Sequence, residues 1–366
     1  MLSQEKPGCC HDTSGMSRRG FLGTSGRVMG ANGRRAFRMT ALAVLALVCR
    51  LALAEPPRAV DGNRLRAVTS RAAHSADAAA PRVRISDVIY GRKDGMALTM
   101  DVLKPPEANG AAVIWVASGG LRSNHGMIAG DGFVRYVEPL LKRGYTVFAV
   151  VHGSMPKYEI REITADFHRA VQFIRHHAKD FGIDPNRVGI SGGSSGGSLS
   201  LLIGTTGRVS NPKARDPVER QSSRVQAVAC FYPGTDWVNF EREGISVLGV
   251  CQRLGLIEGF RFRRFDPTAK EHVLITNPKQ VEELLREYSP INRVTAESAP
   301  TLIIHGDKDD LVPLDQSERM IAKLKAAGVT AELVVKKGEG HGWGNQTVDM
   351  ERFADWYDKH LARKGS

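Results

Sequence analysis

RVGISGGSSGGSLS, residues 187–200, is the stretch whose reading decides the fold. A short apolar run, Val188 to Ile190, ends at paired glycines, one serine follows, and a second glycine pair leads into Leu199, Leu201 and Leu202 at helical spacing. This reads as strand, sharp turn and helix, with the pattern G-x-S-x-G set on Gly192-Gly193-Ser194-Ser195-Gly196. A serine at such a turn sits in strained backbone, and a Cβ on its neighbours collides with the adjoining strand or helix, so the chemistry requires the glycines. An overlapping register centred on Ser191 leaves no residues to make a turn after the strand. Ser194 has a strand before it and a helix after it, and is the candidate nucleophile.

Outward from this turn, residues 111–117 (AAVIWVA) and 146–151 (TVFAVV) are nearly continuous apolar runs. Runs without alternation suit strands buried on both faces of a parallel sheet. Residues 84–90 and 97–103 read as two strands joined by the turn Arg92-Lys93-Asp94-Gly95, and 225–231, 301–305 and 331–336 continue the series. Residues 163–181 carry Phe167, Ala170, Val171, Ile174, Ala178 and Phe181 at a period of 3.6, with Gly182 as a stop and Pro185 beyond it. Further helices are expected at 316–327 and 348–362. The alternation predicts an α/β fold over residues 83–366: one doubly wound, mostly parallel eight-stranded sheet with helices on both faces. Residues 236–293 break the alternation, with helical pieces at 247–256 and 280–288 and a basic patch of Arg261, Arg263 and Arg264. A small helical insertion after the sixth strand is expected there, over the carboxyl ends of the strands, where it would serve as a lid.

The formal charge of +12 is unevenly placed. Eight of the 51 Lys and Arg residues and two of the 39 acids fall in residues 1–54, which leaves a mildly basic globule with 43 bases and 37 acids. Without a basic block or interleaved aromatics, no nucleic-acid partner is expected. Residues 1–54 read as an export signal region: Arg34, Arg35 and Arg38, an apolar run from Met39 to Cys49, and Ala52-Leu53-Ala54 as a small-residue cleavage site. Arg50 ends the apolar run well short of the ~20 residues a spanning helix needs, so no stable membrane anchor is expected after cleavage near Ala54. Two twin-arginine patterns, Arg18-Arg19 and Arg34-Arg35, leave both export routes open. Residues 55–82, rich in Ala, Arg and Ser, read as a flexible linker to an exported domain, periplasmic or extracellular. Of five cysteines, Cys9, Cys10 and Cys49 lie in the removable part; Cys230 and Cys251 read as buried thiols, with a disulfide between them left open.

A serine hydroxyl is a weak nucleophile and needs a base, an orienter for that base, and donors for the oxyanion. The predicted strand 301–305 runs into a loop with three acids, Asp307, Asp309 and Asp310, and the strand 331–336 runs into Gly338-Glu339-Gly340-His341-Gly342-Trp343. The order is serine, acid, histidine, each after a strand. On these motifs the chain resembles the esterase/lipase branch of the α/β-hydrolase superfamily, close to bacterial acetyl-xylan and feruloyl esterase-like proteins and more distantly the prolyl oligopeptidase group. The resemblance covers about residues 83–364. GIDPNRVGISGGSSGGSLS matches the family's nucleophile turn, APTLIIHGDKDDLVPLDQS its acid loop and GEGHGW its histidine loop. It implies Ser194, Asp309 and His341 as catalytic residues, with the pattern H-G-x-x-D-x-x-V-P placing the acid on Asp309.

The resemblance implies an oxyanion hole from the amides of Gly119, Gly120 and Ser195. Relatives usually carry His-Gly-Gly-Gly-Trp where this chain has Ala117-Ser118-Gly119-Gly120-Leu121, and alanine where it has Ser195. His125, His152 and Trp343 fall near the same rim as candidate substrate contacts, each with a structural hydrogen bond as the alternative, and Asp236 shares that ambiguity. The expected activity is a serine esterase working through an acyl-enzyme on a small-molecule or carbohydrate ester, acetyl or feruloyl esters of polysaccharides included. An exopeptidase of prolyl oligopeptidase type and a non-catalytic binding protein are the alternatives. No metal and no organic cofactor are expected. The acyl and alcohol groups and the oligomeric state stay open at this level.

Overall fold

The computed structural model describes residues 83–363. The expected export signal, with Cys9, Cys10 and Cys49, and the expected linker lie outside the described residues. Ten strands are present among those described: β1 (Val83–Lys93), β2 (Met96–Lys104), β3 (Ala112–Val116), β4 (Thr146–Val150), β5 (Val188–Gly193), β6 (Ala227–Phe231), β7 (Arg263–Asp266), β8 (Glu271–Leu274), β9 (Thr301–Gly306) and β10 (Ala331–Lys336). Eight form one sheet in the order β1-β2-β4-β3-β5-β6-β9-β10, antiparallel at β1–β2 and β2–β4 and parallel elsewhere. This is the doubly wound eight-stranded sheet expected from the apolar runs.

Two-sided burial is visible strand by strand. Ala112, Ile114 and Val116 of β3 pack into one core, whereas Val113 and Trp115 pack into the other. The first core takes Phe167, Val171 and Ile174 from α3 (Ile160–His176), Leu199 and Leu201 from α5 (Ser195–Thr206), and Met320 and Leu324 from α8 (Asp315–Ala326). On the other face lie α1 (Gly130–Tyr136), α2 (Glu138–Lys142) and α9 (Gln346–His360), contributing Phe133, Leu140, Phe353 and Tyr357. Each fully buried aromatic of this kind contributes about 1.5–3 kcal/mol over leaving it exposed.

Helix boundaries moved for local reasons. The helix expected at 163–181 starts at Ile160, because the Glu159 amide donates to the Glu162 carboxylate at 3.0 Å and caps the first turn. It breaks at His177, and a short α4 (Ala178–Phe181) follows, closed by Gly182 at φ +73°. Both helical pieces expected in the insertion are present, and an unexpected hairpin lies between them. Between α6 (Val247–Leu254) and α7 (Pro278–Tyr288) lies the hairpin β7–β8, whose exposed Phe265 packs on the ring of His272. No buried run marked these strands, because the hairpin stands outside the core. Cys230 and Cys251 are both buried free thiols in this structure, and burial pushes the Cys251 thiol up to about 12.

Two buried histidines make stability pH-dependent. Burial pushes His152 down to about 4, and burial with the charge of Arg208 pushes His168 down to about 3. With lowered pKa values in the folded state, the unfolded chain binds the extra protons. Their stabilisation is complete above about pH 6.5 and is lost as pH falls toward 4, by about 1.4 kcal/mol per pH unit for each group. Urea unfolding is expected to show stability lower by on the order of 4 kcal/mol at pH 5 than at pH 7.5. A flat profile over that range would exclude neutral burial of both rings.

Candidate active site

Strand pairing brings the chemistry-bearing loops together. β3 and β5 are parallel neighbours with Val116 opposite Gly192, so the segments leaving their carboxyl ends, 117–123 and 193–195, run side by side. The strand order reverses direction here, the place where α/β sheets open a crevice. β9 pairs with β6 on one side and β10 on the other, with Gly306 opposite Lys336, which sets the loop of Asp309 beside that of His341.

Ser194 sits at φ +55°, ψ −123°, between the end of β5 and the first turn of α5. Its amide donates to the Phe231 carbonyl at 3.1 Å and its carbonyl accepts from the Ser198 amide at 2.9 Å, holding a conformation that costs roughly 1–3 kcal/mol in isolation. The glycines are required by close approach: a Cβ on Gly192 would lie 2.6 Å from the Gly196 carbonyl, and one on Gly196 would lie 2.8 Å from the Val116 carbonyl.

The structure brings Ser194, His341 and Asp309 together. Ser194 Oγ is 2.9 Å from His341 Nε2, and His341 Nδ1 is 2.8 Å from Asp309 Oδ2. With a carboxylate on its Nδ1 side, the neutral imidazole carries its proton there and presents the Nε2 lone pair to the serine. The Asp309 side chain is fully buried. Its Oδ1 accepts from the amides of Leu311 and Val312 at 2.9 Å each, and its Oδ2 accepts from His341 and also from His305 Nε2 at 3.1 Å. Burial pushes this carboxyl up, but the hydrogen bonds from His305, His341 and the Val312 amide outweigh it and hold it well below the usual carboxylate range. The other two acids of the loop stand apart. Asp307 accepts from the Gly338 amide and pairs with Lys337, while Asp310 is exposed.

His305 ends the strand expected at 301–305 and carries no expected site role. It is fully buried, its Nε2 facing both Asp309 and the Val312 carbonyl (2.9 Å) and its Nδ1 2.6 Å from Ser317 Oγ. A histidine closing the run Leu302-Ile303-Ile304 was the available signal. Tyr232, at φ +33°, places its ring 4.5 Å from that of His341, and its hydroxyl accepts from Gln346.

Of the three amides expected at an oxyanion hole, that of Gly119 is already bonded. The Gly119 amide donates to the Arg122 carbonyl at 2.9 Å, and the Arg122 amide returns a bond to Gly119, so a tight turn consumes the Gly119 donor. Gly120, at φ +56°, and Ser195, at the first turn of α5, keep amides that meet no acceptor among the described residues. Both residues border the cavity beside Ser194. The positive end of the α5 dipole also favours negative charge there.

None of the three candidate substrate contacts lines that cavity. His125 Nε2 is 2.7 Å from Thr99 Oγ1, and the ring faces Asp87 and Asp101. His152 is buried with its Nδ1 donating to the Gly153 carbonyl at 2.8 Å. The Trp343 indole donates to Asp349 at 2.7 Å and packs edge-on to Phe231. Asp236 is structural too: it caps the turn at Val238 and Asn239 and pairs with Arg319 at 2.7 Å. Asp87, Asp101 and His125 present three ligand atoms within 4.8 Å of one another, but Arg84 already holds Asp101, at 2.8 Å.

The cavity beside Ser194 has a volume of about 90 Å³. Residues 236–293 form much of its wall through Trp237, Phe240, Val250, Leu254 and Phe260. Gln316 on α8 clamps the base of this segment, accepting from the Thr235 and Asp236 amides and donating to the carbonyls of Asn239 and Phe240. Among the described residues, no helix is long and apolar enough to cross a membrane.

Comparison with known proteins follows the same lines. Esterase LipC of Mycobacterium tuberculosis is 27% identical over 70% of this chain and 59% of its own length. The chain spans about half the length of the curated relatives it matches. An acetyl ester-xyloside bifunctional hydrolase from Caldicellulosiruptor lactoaceticus superposes with a TM-score of 0.59 at 22% identity, covering 75% of this chain and 96% of that one. A truncated carbohydrate esterase from gut microbiota gives 0.61 at 22% identity, covering 77% and 97%. At that identity the two structures share the fold with this chain. The BD-FAE family model matches residues 100–324, and with more than half of its length so matched, the chain belongs to the BD-FAE family.

Proposed function

We propose that this protein is a serine hydrolase that cleaves carboxylic esters through an acyl-enzyme on Ser194. The observation that carries the reading is the continuous relay from Ser194 Oγ through His341 to a buried Asp309, at 2.9 and 2.8 Å. His341 Nε2 takes the Ser194 proton as Oγ attacks the ester carbonyl, and Asp309 stabilises the imidazolium that forms. The amides of Gly120 and Ser195 receive the oxyanion, an effect of about 3 kcal/mol per donor in comparable sites. His341 then gives its proton to the leaving alkoxide, and water releases the acyl group by the reverse route.

The cavity suggests the substrate class. Its walls are apolar, and its volume is about 90 Å³. An ester with a compact apolar acyl group fits that space, and residues 236–293 act as the lid over it. The names of the two structural neighbours make acetyl esters of carbohydrates the first class to test. A panel of acetylated xylan, nitrophenyl esters of increasing length, feruloyl esters and dipeptide amides is expected to show turnover of short esters and none of amides. Faster amide than ester hydrolysis would overturn the reading.

Leu254 is half-buried at the cavity wall. Leu254→Ala is expected to raise the ratio of kcat/KM for hexanoate over acetate esters by about tenfold, since each methylene admitted to an apolar pocket is worth about 1–3 kcal/mol. An unchanged ratio would place the acyl chain elsewhere. We also propose export with cleavage after Ala54, in keeping with the basic, apolar and small-residue order of residues 34–54. N-terminal sequencing of the secreted protein tests it, with Glu55 the expected first residue.

A further inference from the structure

We infer that the Ser195 side chain is a positioning group for the oxyanion hole, holding the Gly120 amide in place from across the site. The inference rests on the proposed hydrolase reading and assigns a role to a hydroxyl that the relay does not use. The peptide bearing the Gly120 N–H lies between two tethered peptides. Before it, the Gly119 amide is fixed on the Arg122 carbonyl at 2.9 Å; after it, the Leu121 amide donates to Ser195 Oγ at 3.1 Å. Ser195 Oγ is also 3.0 Å from Ser118 Oγ, so the one hydroxyl grips the loop at both ends.

The loop needs such a grip. Gly120 and Leu121 stand at φ +56° and +61°, two left-handed residues in succession. Glycine turns over freely between the two halves of φ/ψ space, and leucine stays in the left-handed region only where its surroundings over-determine it. Met155 N–H on the Leu121 carbonyl (3.1 Å) and Gly259 against the Leu121 side chain restrain the far side. Ser195 Oγ is the restraint on the side that faces the nucleophile. One residue thereby supplies one donor through its amide and positions the other through its side chain, which ties their separation to a single point on α5. Oxyanion donors act by being in place before charge develops, so loosening one lowers kcat more than it raises KM.

The test compares the full chain with Ser195→Ala and Ser195→Thr on a nitrophenyl ester, with a trifluoromethyl ketone as probe. Ser194 Oγ adds to the ketone carbonyl, its proton passes to His341, and the carbonyl electron pair becomes an oxyanion in the hole. Ser195→Ala is expected to lower kcat about tenfold, keep KM within twofold, and weaken the ketone about tenfold. Ser195→Thr, which keeps the oxygen, is expected to retain at least half of the wild-type kcat. A kcat and ketone affinity within twofold of wild type in Ser195→Ala, or equal losses in the Ala and Thr variants, would overturn the inference. Should Ser195→Ala not fold, Ser118→Ala is read the same way, with a severalfold fall in kcat expected and an unchanged kcat counting against. Wild-type protein inert toward every ester, and unlabelled by a fluorophosphonate, removes the hydrolase reading itself. Active wild type with an unchanged Ser195→Ala removes this inference alone.

Discussion

Ser194→Ala is expected to lower kcat for a short nitrophenyl ester by about 10⁶-fold and to abolish fluorophosphonate labelling, with the fold unchanged. The backbone at 194 is held by the Phe231 and Ser198 bonds, and alanine bears the same Cβ as serine, so the substitution removes only Oγ. Without Oγ no acyl-enzyme forms, and what remains is hydrolysis by water assisted by the Gly120 and Ser195 amides, a residual of about 10³–10⁴ over the uncatalysed rate. His341→Ala is expected to cost nearly as much, and the double variant little more, because the pair acts as one unit. A Ser194→Ala protein that keeps a tenth of wild-type turnover would show that another nucleophile does the work.

Asp309→Asn carries the second largest expected effect, about 10³–10⁴-fold in kcat. Asp309 accepts four hydrogen bonds, two amides on Oδ1 and two imidazoles on Oδ2, and an asparagine keeps only one oxygen. If the oxygen faces Leu311 and Val312, the amide NH₂ confronts the imidazole N–H groups; His341 then takes its other tautomer, with Nε2 protonated toward Ser194 and no lone pair to act as base. The reverse orientation sets NH₂ against two backbone amides and leaves them unpaired, at about 1–3 kcal/mol each. The variant should therefore melt at a lower temperature as well as turn over slowly. Asp307→Asn is the control: its carboxylate meets Gly338 and Lys337 at the surface, and kcat within twofold of wild type is expected. An Asp309→Asn enzyme within tenfold of wild type would return the acid assignment to its loop neighbours.

Local pattern carried much of this in advance. The sheet was legible because strands buried on both faces need continuous apolar runs, and each of 111–117, 146–151 and 225–231 holds a strand. Ser194 was legible because a turn tight enough to bring the Gly192 and Gly196 backbones together admits no Cβ, so glycines bracket it. The hairpin β7–β8 was not, since two short strands outside the core obey no burial rule.

What the chain order alone determined is the candidate serine, its candidate base and the strand ends that hold them, because these follow from residue types within a few positions of one another. Which loop amides are left without an acceptor, and what the side chain of the second serine of the turn touches, only the tertiary structure decided. Gly119 and Gly120 are equivalent on paper; a bond to Arg122 removes one and leaves the other. Ser195 meets Leu121 across a separation of 74 positions, a contact made by the pairing of β3 with β5. The same holds for the apolar cavity and for the hydrogen bonds that His125, His152 and Trp343 make. Hydrogen-bond partners and cavity walls are drawn from segments far apart in the chain, and no local periodicity encodes them.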